Sequence, residues 1–299
     1  MKVRIGVGTG TAVMEGDGLA GVLDDLEELG FDSLWWSDVL TVAGDDPLVA
    51  MAFAAGRVRR LKLGTTMVLP GRNPVRLAKQ LATLDRLSGG RLLVTFVLGL
   101  RTPAELAALG LDAARRGAQL DELLPLLRRL WTEDSVDHDG PRWSLAGARV
   151  EPKPLQVPLD VWLGGSAPSA LRRVGELADG WLPALCTPQE AAAGRLVVEE
   201  AAAGAGRVVD PEHFGVSIGY VRGEPPPELL RRVAARRAPL AGDAERRDLL
   251  PGAPGELRAL VERFVDAGFS KFVVRPVLPP SSWRHELEWL AEELLVLQT

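Results

Sequence analysis

Apolar positions along the chain follow two periods in alternation. Short β-branched or aromatic runs fall at residues 3–7, 31–36, 61–65 and 91–98, each followed by a stretch with helical spacing. Leu19, Val22, Leu23, Leu26 and Leu29 lie on one helical face, and Gly30 closes it as a C-terminal cap. A second helix is predicted over 47–57. A third starts at Asn73, a good capping residue, and Pro74, whose missing N–H costs nothing at the first helical position. Leu77, Leu81, Leu84 and Leu87 form its buried stripe, and Gly89-Gly90 stops it. Residues 91–98 are almost unbroken apolar sequence, as in a strand covered on both faces of a parallel sheet.

Leu120, Leu123, Leu124, Leu127 and Leu130 mark a helix over 115–131. Pro125 lies inside it, and an interior proline costs about 3 kcal/mol, so a kink or break is expected near Leu124. Residues 137–159 are rich in Pro and Gly and predict an excursion with a short hairpin. The alternation then resumes with strands at 161–163, 180–182, 214–221 and 271–275, and helices at 168–178, 188–203, 256–267 and 283–297. About eight βα units imply parallel strands with right-handed crossovers. The predicted fold is an α/β protein, a (β/α)8 TIM barrel spanning 1–299 as one domain. An open doubly wound sheet is the alternative. Residues 223–255, with Pro225–Pro227, Pro239, Pro251 and Pro254 among arginines, predict a helical insertion between the last two strands, a candidate lid.

Composition narrows the class. The 299 residues are 46% hydrophobic and 25% charged, which fits a globular chain and excludes disorder, collagen and coiled coil. No run approaches the roughly 18 apolar residues of a membrane span, and no apolar segment follows Met1-Lys2-Val3-Arg4, so neither membrane insertion nor secretion is expected. Net charge is −5 and no basic run interleaves with aromatics, which disfavours a nucleic-acid partner. Cys186 is the single cysteine, so internal disulfides and thiolate zinc sites are excluded. His138, His213 and His285 have no metal-ligand spacing, and no metal is expected. The expected compartment is the cytoplasm.

A barrel carries its site on the loops after its strands. The residues there are Thr9 to Thr11, Ser37 and Asp38, Thr65 to Met67, Thr95 to Arg101, Gly164 to Ser166, Cys186 and Thr187, Arg222 and Arg275. Gly6-Val7-Gly8-Thr9-Gly10 superficially matches a dinucleotide fingerprint, but Thr11 and Val13 stand where its last glycine belongs. Gly164-Gly165-Ser166-Ala167-Pro168 follows a strand and opens a helix, a ready seat for phosphate. It falls short of a nucleophile elbow, and no histidine is placed to activate Ser166, so hydrolase chemistry is rejected. Asp38 at a strand end is either a site carboxylate or a loop cap. Trp35 and Trp36 must point to opposite faces of one strand, and the sequence leaves open which one fills the core. Cys186 is read as an inert buried thiol.

Five segments in this order resemble the luciferase-like oxidoreductases. They are FDSLWWSD (31–38), LKLGTTMVLPGRNPVRLAKQLATLDRLSGGRLL (61–93), RRLWTED (128–134), VEPKPLQVPLDVWLGGSAPSALRRVGELADGWLP (150–183) and DAGFSKFVV (266–274). The 61–93 and 150–183 blocks are most similar to actinobacterial deazaflavin-dependent members. The resemblance implies a TIM barrel binding coenzyme F420 or flavin mononucleotide (FMN), commonly as a homodimer. It places Ser37 and Asp38 beside the cofactor. It also implies a non-prolyl cis peptide at Thr66–Met67 behind the ring, and the phosphate at Gly164, Gly165 and Ser166. Thr95 and Gly99 mark the fourth-strand motif. Many deazaflavin members have Asp-His where this chain has Asp38-Val39, and Gly-Val-Gly-x-Gly where it has Thr95 to Gly99. Leu100 stands where the sugar-phosphate dehydrogenases carry an acid. Sugar-phosphate oxidation through a His/Glu pair is therefore not expected.

The leading expectation is hydride transfer between F420 and a small, mostly apolar organic substrate, with Asp38, Thr66 or water supplying the proton. An FMN-dependent monooxygenase is the alternative. A barrel that binds a ligand without turnover is the third reading, and the departures at Val39, Thr95 to Gly99 and Leu100 motivate it.

Overall fold

A computed structural model describes residues 1–10, 12–13, 18–236 and 243–299 of the chain. Strands β1 (Arg4–Gly8), β2 (Ser33–Ser37), β3 (Lys62–Val68) and β4 (Leu92–Val97) alternate with helices α1 (Gly18–Leu29), α2 (Pro47–Arg57) and α3 (Pro74–Leu87). After β4 come α4 (Pro103–Ala108), α5 (Arg116–Thr132) and an antiparallel hairpin of β5 (Val136–Asp139) and β6 (Ser144–Ala148). The second half holds β7 (Val161–Leu163), α6 (Pro168–Leu177), β8 (Gly180–Trp181), α7 (Pro188–Gly204) and β9 (Gly215–Tyr220). Then follow α8 (Pro227–Arg236), α9 (Asp243–Leu249), α10 (Glu256–Asp266), β10 (Lys271–Pro276) and α11 (Trp283–Leu294), which ends in a 3-10 turn, Leu295–Leu297.

Eight strands form one parallel sheet in the order β8-β7-β4-β3-β2-β1-β10-β9. Two isolated bridges, Trp181 to Phe214 and Ala184 to Ser217, join its ends and close the barrel. The hydrophobic periodicity therefore predicts the architecture correctly. Pro125 does not break α5, which runs on to Thr132. Leu123, Leu124, Leu126 and Leu127 are all buried around it, and that packing offsets the lost backbone hydrogen bond. Between β9 and β10, Val221, Leu229, Val233, Leu249 and Leu250 make a small core of their own. Residues 237–242 of the expected insertion lie outside the described residues, as do Thr11 and 14–17 of the first loop.

Side chains of successive strand residues point to opposite faces, so each barrel strand has a helix-facing and an interior-facing set. Leu34, Trp36, Leu63, Met67, Phe96, Leu163, Trp181 and Phe272 belong to the large core between strands and helices. Trp35 faces inward and packs with Leu182, Val273, Leu93 and Trp162. Small residues opposite make its room. A Cβ on Gly64 would lie 2.2 Å from the Trp35 ring, and one on Gly6 would lie 2.3 Å from Ser33 Oγ. Gly180 leaves space for Trp162 in the same way, 2.4 Å from its ring. The glycines that mimic a dinucleotide motif are thus spacers inside the barrel.

This packing gives a first prediction. Gly64→Ala should destabilise the chain by about 1–3 kcal/mol through overpacking. Trp35→Leu in the same chain should restore part of that loss, because the two sites share one volume. Urea unfolding of the single and double variants measures the coupling, and strict additivity would show that the indole is not what the new methyl meets.

Candidate active site

The C-terminal ends of the strands form a mouth whose loops are tied together by buried charge. Asp38, just past β2, is 4% exposed. Its N–H donates to the Thr66 carbonyl at 2.9 Å, and its Oδ2 accepts from Val68 N–H at 2.9 Å. The same Oδ2 accepts from Arg72 Nη2 at 2.6 Å, and Arg72 Nε donates to the Val68 carbonyl at 2.8 Å. The ends of β2 and β3 are locked by this clamp, and the Asp38 carboxylate is committed as an acceptor within it.

Glu105 in α4 plays the same part for the loop after β2. It is fully buried. It accepts from the N–H groups of Leu40 and Thr41 at 2.9 Å each and from Thr41 Oγ1 at 2.6 Å. Burial alone would raise the Glu105 carboxyl, but these three donors outweigh it and hold its pKa below the ordinary value. The depressed folded pKa means that the unfolded chain binds the extra proton. The stabilisation is therefore complete above the ordinary Glu pKa and lost as pH falls through the folded value. Wild type should exceed Glu105→Gln by about 1.5–3 kcal/mol near neutrality. Thermal unfolding from pH 7 downward should show the gap closing below about pH 4, and a constant gap would contradict this account.

Arg116 at the start of α5 secures the loop after β4. Its Nη1 donates to the carbonyls of Leu98 and Gly99 at 2.9 Å and of Leu100 at 3.2 Å. Gly99 adopts φ +78°, in the region that favours glycine, and a Cβ there would meet Val68 at 3.1 Å.

The loop after β7 is open. Gly165 and Ser166 are exposed, and Gly165 has φ +103°. Trp181 Nε1 donates to the Gly165 carbonyl at 2.9 Å and fixes the turn. Gly164 N–H donates to the Phe96 carbonyl at 3.0 Å. A Cβ on Gly164 would stand 2.8 Å from Val97 Cγ1 and 3.2 Å from the Leu182 carbonyl. α6 follows with Ala167 as N-cap and no side chain capping its first turn. An uncapped positive helix end beside two glycines is a cradle for an anion such as phosphate.

Among the remaining candidates, Ser37 is exposed at the mouth and Thr66 is half-buried there, on the inward face of β3. Arg275 crosses the mouth, 3.0 Å by its Cβ from where a Gly8 Cβ would stand, with its guanidinium near Gly219. Arg222 lies over the Trp289 ring at 4.9 Å and pairs with Glu286 at 3.3 Å. Thr9, Cys186 and Thr187 are buried, and Thr187 caps α7.

A family model for luciferase-like monooxygenases matches residues 1–271. The chain belongs to the luciferase-like monooxygenase family. Its curated relatives include an uncharacterised Mycobacterium tuberculosis protein, 34% identical over 139 residues; that match spans about half of either chain, 46% of this one and 49% of the relative. The F420-dependent glucose-6-phosphate dehydrogenase of Intrasporangium calvum is 28% identical over 83% of this chain and 85% of its own. The sulfoquinovose monooxygenase of Agrobacterium fabrum is 31% identical over 73% of this chain and 55% of its own. Among solved structures, an F420-dependent secondary alcohol dehydrogenase superposes with a TM-score of 0.83 at 19% identity, over 100% of both chains. Monooxygenase RslO1 from Streptomyces bottropensis gives 0.80 at 24%, over 98% of this chain and 99% of its own. These two likenesses are of fold.

One expectation from the family resemblance changes in this chain. Thr66–Met67 is trans; the cis bonds among the described residues are Glu151–Pro152 and Val157–Pro158. The reason is local. β3 keeps a regular ladder through Thr66–Thr95, Met67–Phe96 and Val68–Val97, and a non-prolyl cis bond costs about 3–4 kcal/mol. The Met67 side chain is fully buried in the helix-facing core, so only its backbone reaches the mouth. Thr95, the ladder partner of Thr66, is fully buried inside the barrel, and its Oγ1 has no hydrogen-bond partner; it belongs to the lining of a cavity that opens at the N-terminal ends of the strands. Sequence reasoning missed Arg72, Glu105 and Arg116 altogether.

Proposed function

We propose that this chain is an oxidoreductase that binds coenzyme F420 at the C-terminal mouth and transfers a hydride to or from a small organic substrate. The uncapped start of α6 beside Gly164 and Gly165 carries this reading, because the turn at Gly165 and Ser166 is exposed and offers a phosphate backbone N–H groups. Family membership and the F420-dependent names of several relatives support it. F420, when bound, supplies the hydride-exchanging ring. Gly164, Gly165 and Ser166 would hold its phosphate, with Ser37, Thr66, Gly99 and the Met67 backbone bordering the ring. Thr66, half-buried at the mouth, is the hydroxyl placed to hold or relay a proton with water. Asp38 acts as a positioning residue through Val68 and Arg72.

Fluorescence titration of the apoprotein with oxidised F420, and separately with FMN, tests this reading. Saturable binding of F420 alone is expected. Preference for FMN would place the chain with the monooxygenases, and binding of neither would remove the enzymatic reading.

We also propose a cytoplasmic homodimer. The outward face of α2 is apolar along Val49, Ala52, Phe53 and Gly56, with Val49 71% and Phe53 52% exposed. Among the described residues no helix is long and apolar enough to cross a membrane. Light scattering should report a dimer for the wild type and a monomer for Phe53→Glu. An unchanged mass for the variant would exclude this face.

A further inference from the structure

The N-terminal end of the barrel, opposite the proposed cofactor mouth, holds a second cavity of about 170 Å³. That exceeds the ~150 Å³ apolar cavity that admits a benzene ring. Its walls are apolar, with Trp35, Trp162 and Leu93 facing inward from β2, β7 and β4. Thr95, fully buried, also belongs to its lining.

The rim is cationic on one side. Arg4, Lys62 and Lys271 open β1, β3 and β10, strands that lie within four neighbouring positions of the sheet. Asp32 sits among them, 3.6 Å from Arg4 and 3.0 Å from Lys62. Arg4 also donates to the Thr299 carbonyl. Lys271 has Glu212 only at 4.0 Å and donates to the Lys2 carbonyl at 3.3 Å. Burial pulls the Lys271 ammonium below the ordinary lysine value, and Lys62 and Arg4 act in the same direction against Glu212 and Asp32. A further anion here would relieve that crowding of positive charge. On the far side Asp160 faces His213 at 3.8 Å. Burial, with Asp179 and Asp210 adding to it, raises the Asp160 carboxyl against His213 and Arg128.

We propose that this cavity is a second ligand site, selective for small organic carboxylates with a flat apolar body. The body lies against the indoles of Trp35 and Trp162, and the carboxylate meets Lys271 and Lys62 at the rim. Nothing in this assignment depends on the cofactor reading, because the two openings lie at opposite ends of the strands.

Fluorine NMR of 4-fluorobenzoate with the full-length protein tests it, with neutral 4-fluorobenzamide as control. Saturable binding of the acid is expected, weaker by about tenfold or more for the amide. Lys271→Met should weaken the acid about tenfold and leave the amide unchanged, and Lys62→Met provides a second arm if the first variant folds poorly. Leu93→Trp should fill the cavity and abolish both signals. Addition of F420 should leave the signal in place. Absence of saturable binding, equal binding of acid and amide, or displacement by F420 would each overturn the proposal.

Discussion

Asp38→Ala should cost the chain about 3 kcal/mol of stability and loosen the cofactor mouth. The substitution strands two donors at once. The Val68 N–H and the Arg72 guanidinium both use the buried Oδ2 of Asp38. Removing one partner of a buried ion pair costs about 3–5 kcal/mol. Arg72 is 25% exposed by its side chain, so water recovers part of its loss and the lower end of that range applies. Asp38→Asn keeps an acceptor for Val68 without the charge, so it should cost about half as much. Urea unfolding gives the first readout and turnover the second. An Asn variant that binds F420 and turns over normally would make Asp38 a positioning residue. Normal folding and cofactor affinity with lost turnover would put its carboxylate in the chemistry instead. An alanine variant as stable as wild type would refute the clamp.

Gly164→Val should weaken F420 binding by about 100-fold, equivalent to about 2.7 kcal/mol. The added Cβ would meet Val97 Cγ1 and the Leu182 carbonyl, so the loop must move away from the helix end that seats the phosphate. Ser166→Ala removes only a hydroxyl and should cost about tenfold or less. The same fluorescence titration separates the two. Affinity retained in Gly164→Val would mean that the phosphate lies elsewhere, whatever the cofactor.

The barrel was legible because its strands carry strong, repeated signals. Residues 91–98 read as a buried strand and form β4, and Asn73-Pro74 mark the start of α3 as observed. Strand ends were less legible. The predicted strand ends at Thr65, yet β3 runs to Val68, because Asp38 and the β4 ladder hold Thr66, Met67 and Val68 in register. α4 is too short to show a period, and its key residue, Glu105, reads in sequence as an ordinary surface carboxylate. Arg116 was invisible for a similar reason: what it binds is backbone carbonyl, which every residue has; Arg72 likewise binds the Val68 carbonyl, and its pairing with Asp38 spans 34 residues of sequence. The open turn at Gly164 and Gly165 was legible because glycines ahead of a proline-started helix carry their own geometry. The orientation of Trp35 and Trp36 required the opposing face, where Gly64 decides that Trp35 turns inward. Trp36 packs outward, and its Nε1 has no partner.

A hoop is as stiff as its weakest joint, and in this barrel the joint is known. β8 has two residues, and only the bridges at Trp181–Phe214 and Ala184–Ser217 span it to β9. β9 with β10 and β3 with β4 have six paired positions each, while β7 with β8 has two, so the short joints gather around β8. Breathing of the wall should therefore concentrate on one seam, with the Ser217 amide, bonded to the Pro183 carbonyl at 2.8 Å, exchanging its hydrogen sooner than those of β3. The Trp181 indole that pins Gly165 stands on this seam. Loosening at the joint thus reaches the Gly165 turn directly, while the clamped ends of β2 and β3 across the mouth stay fixed.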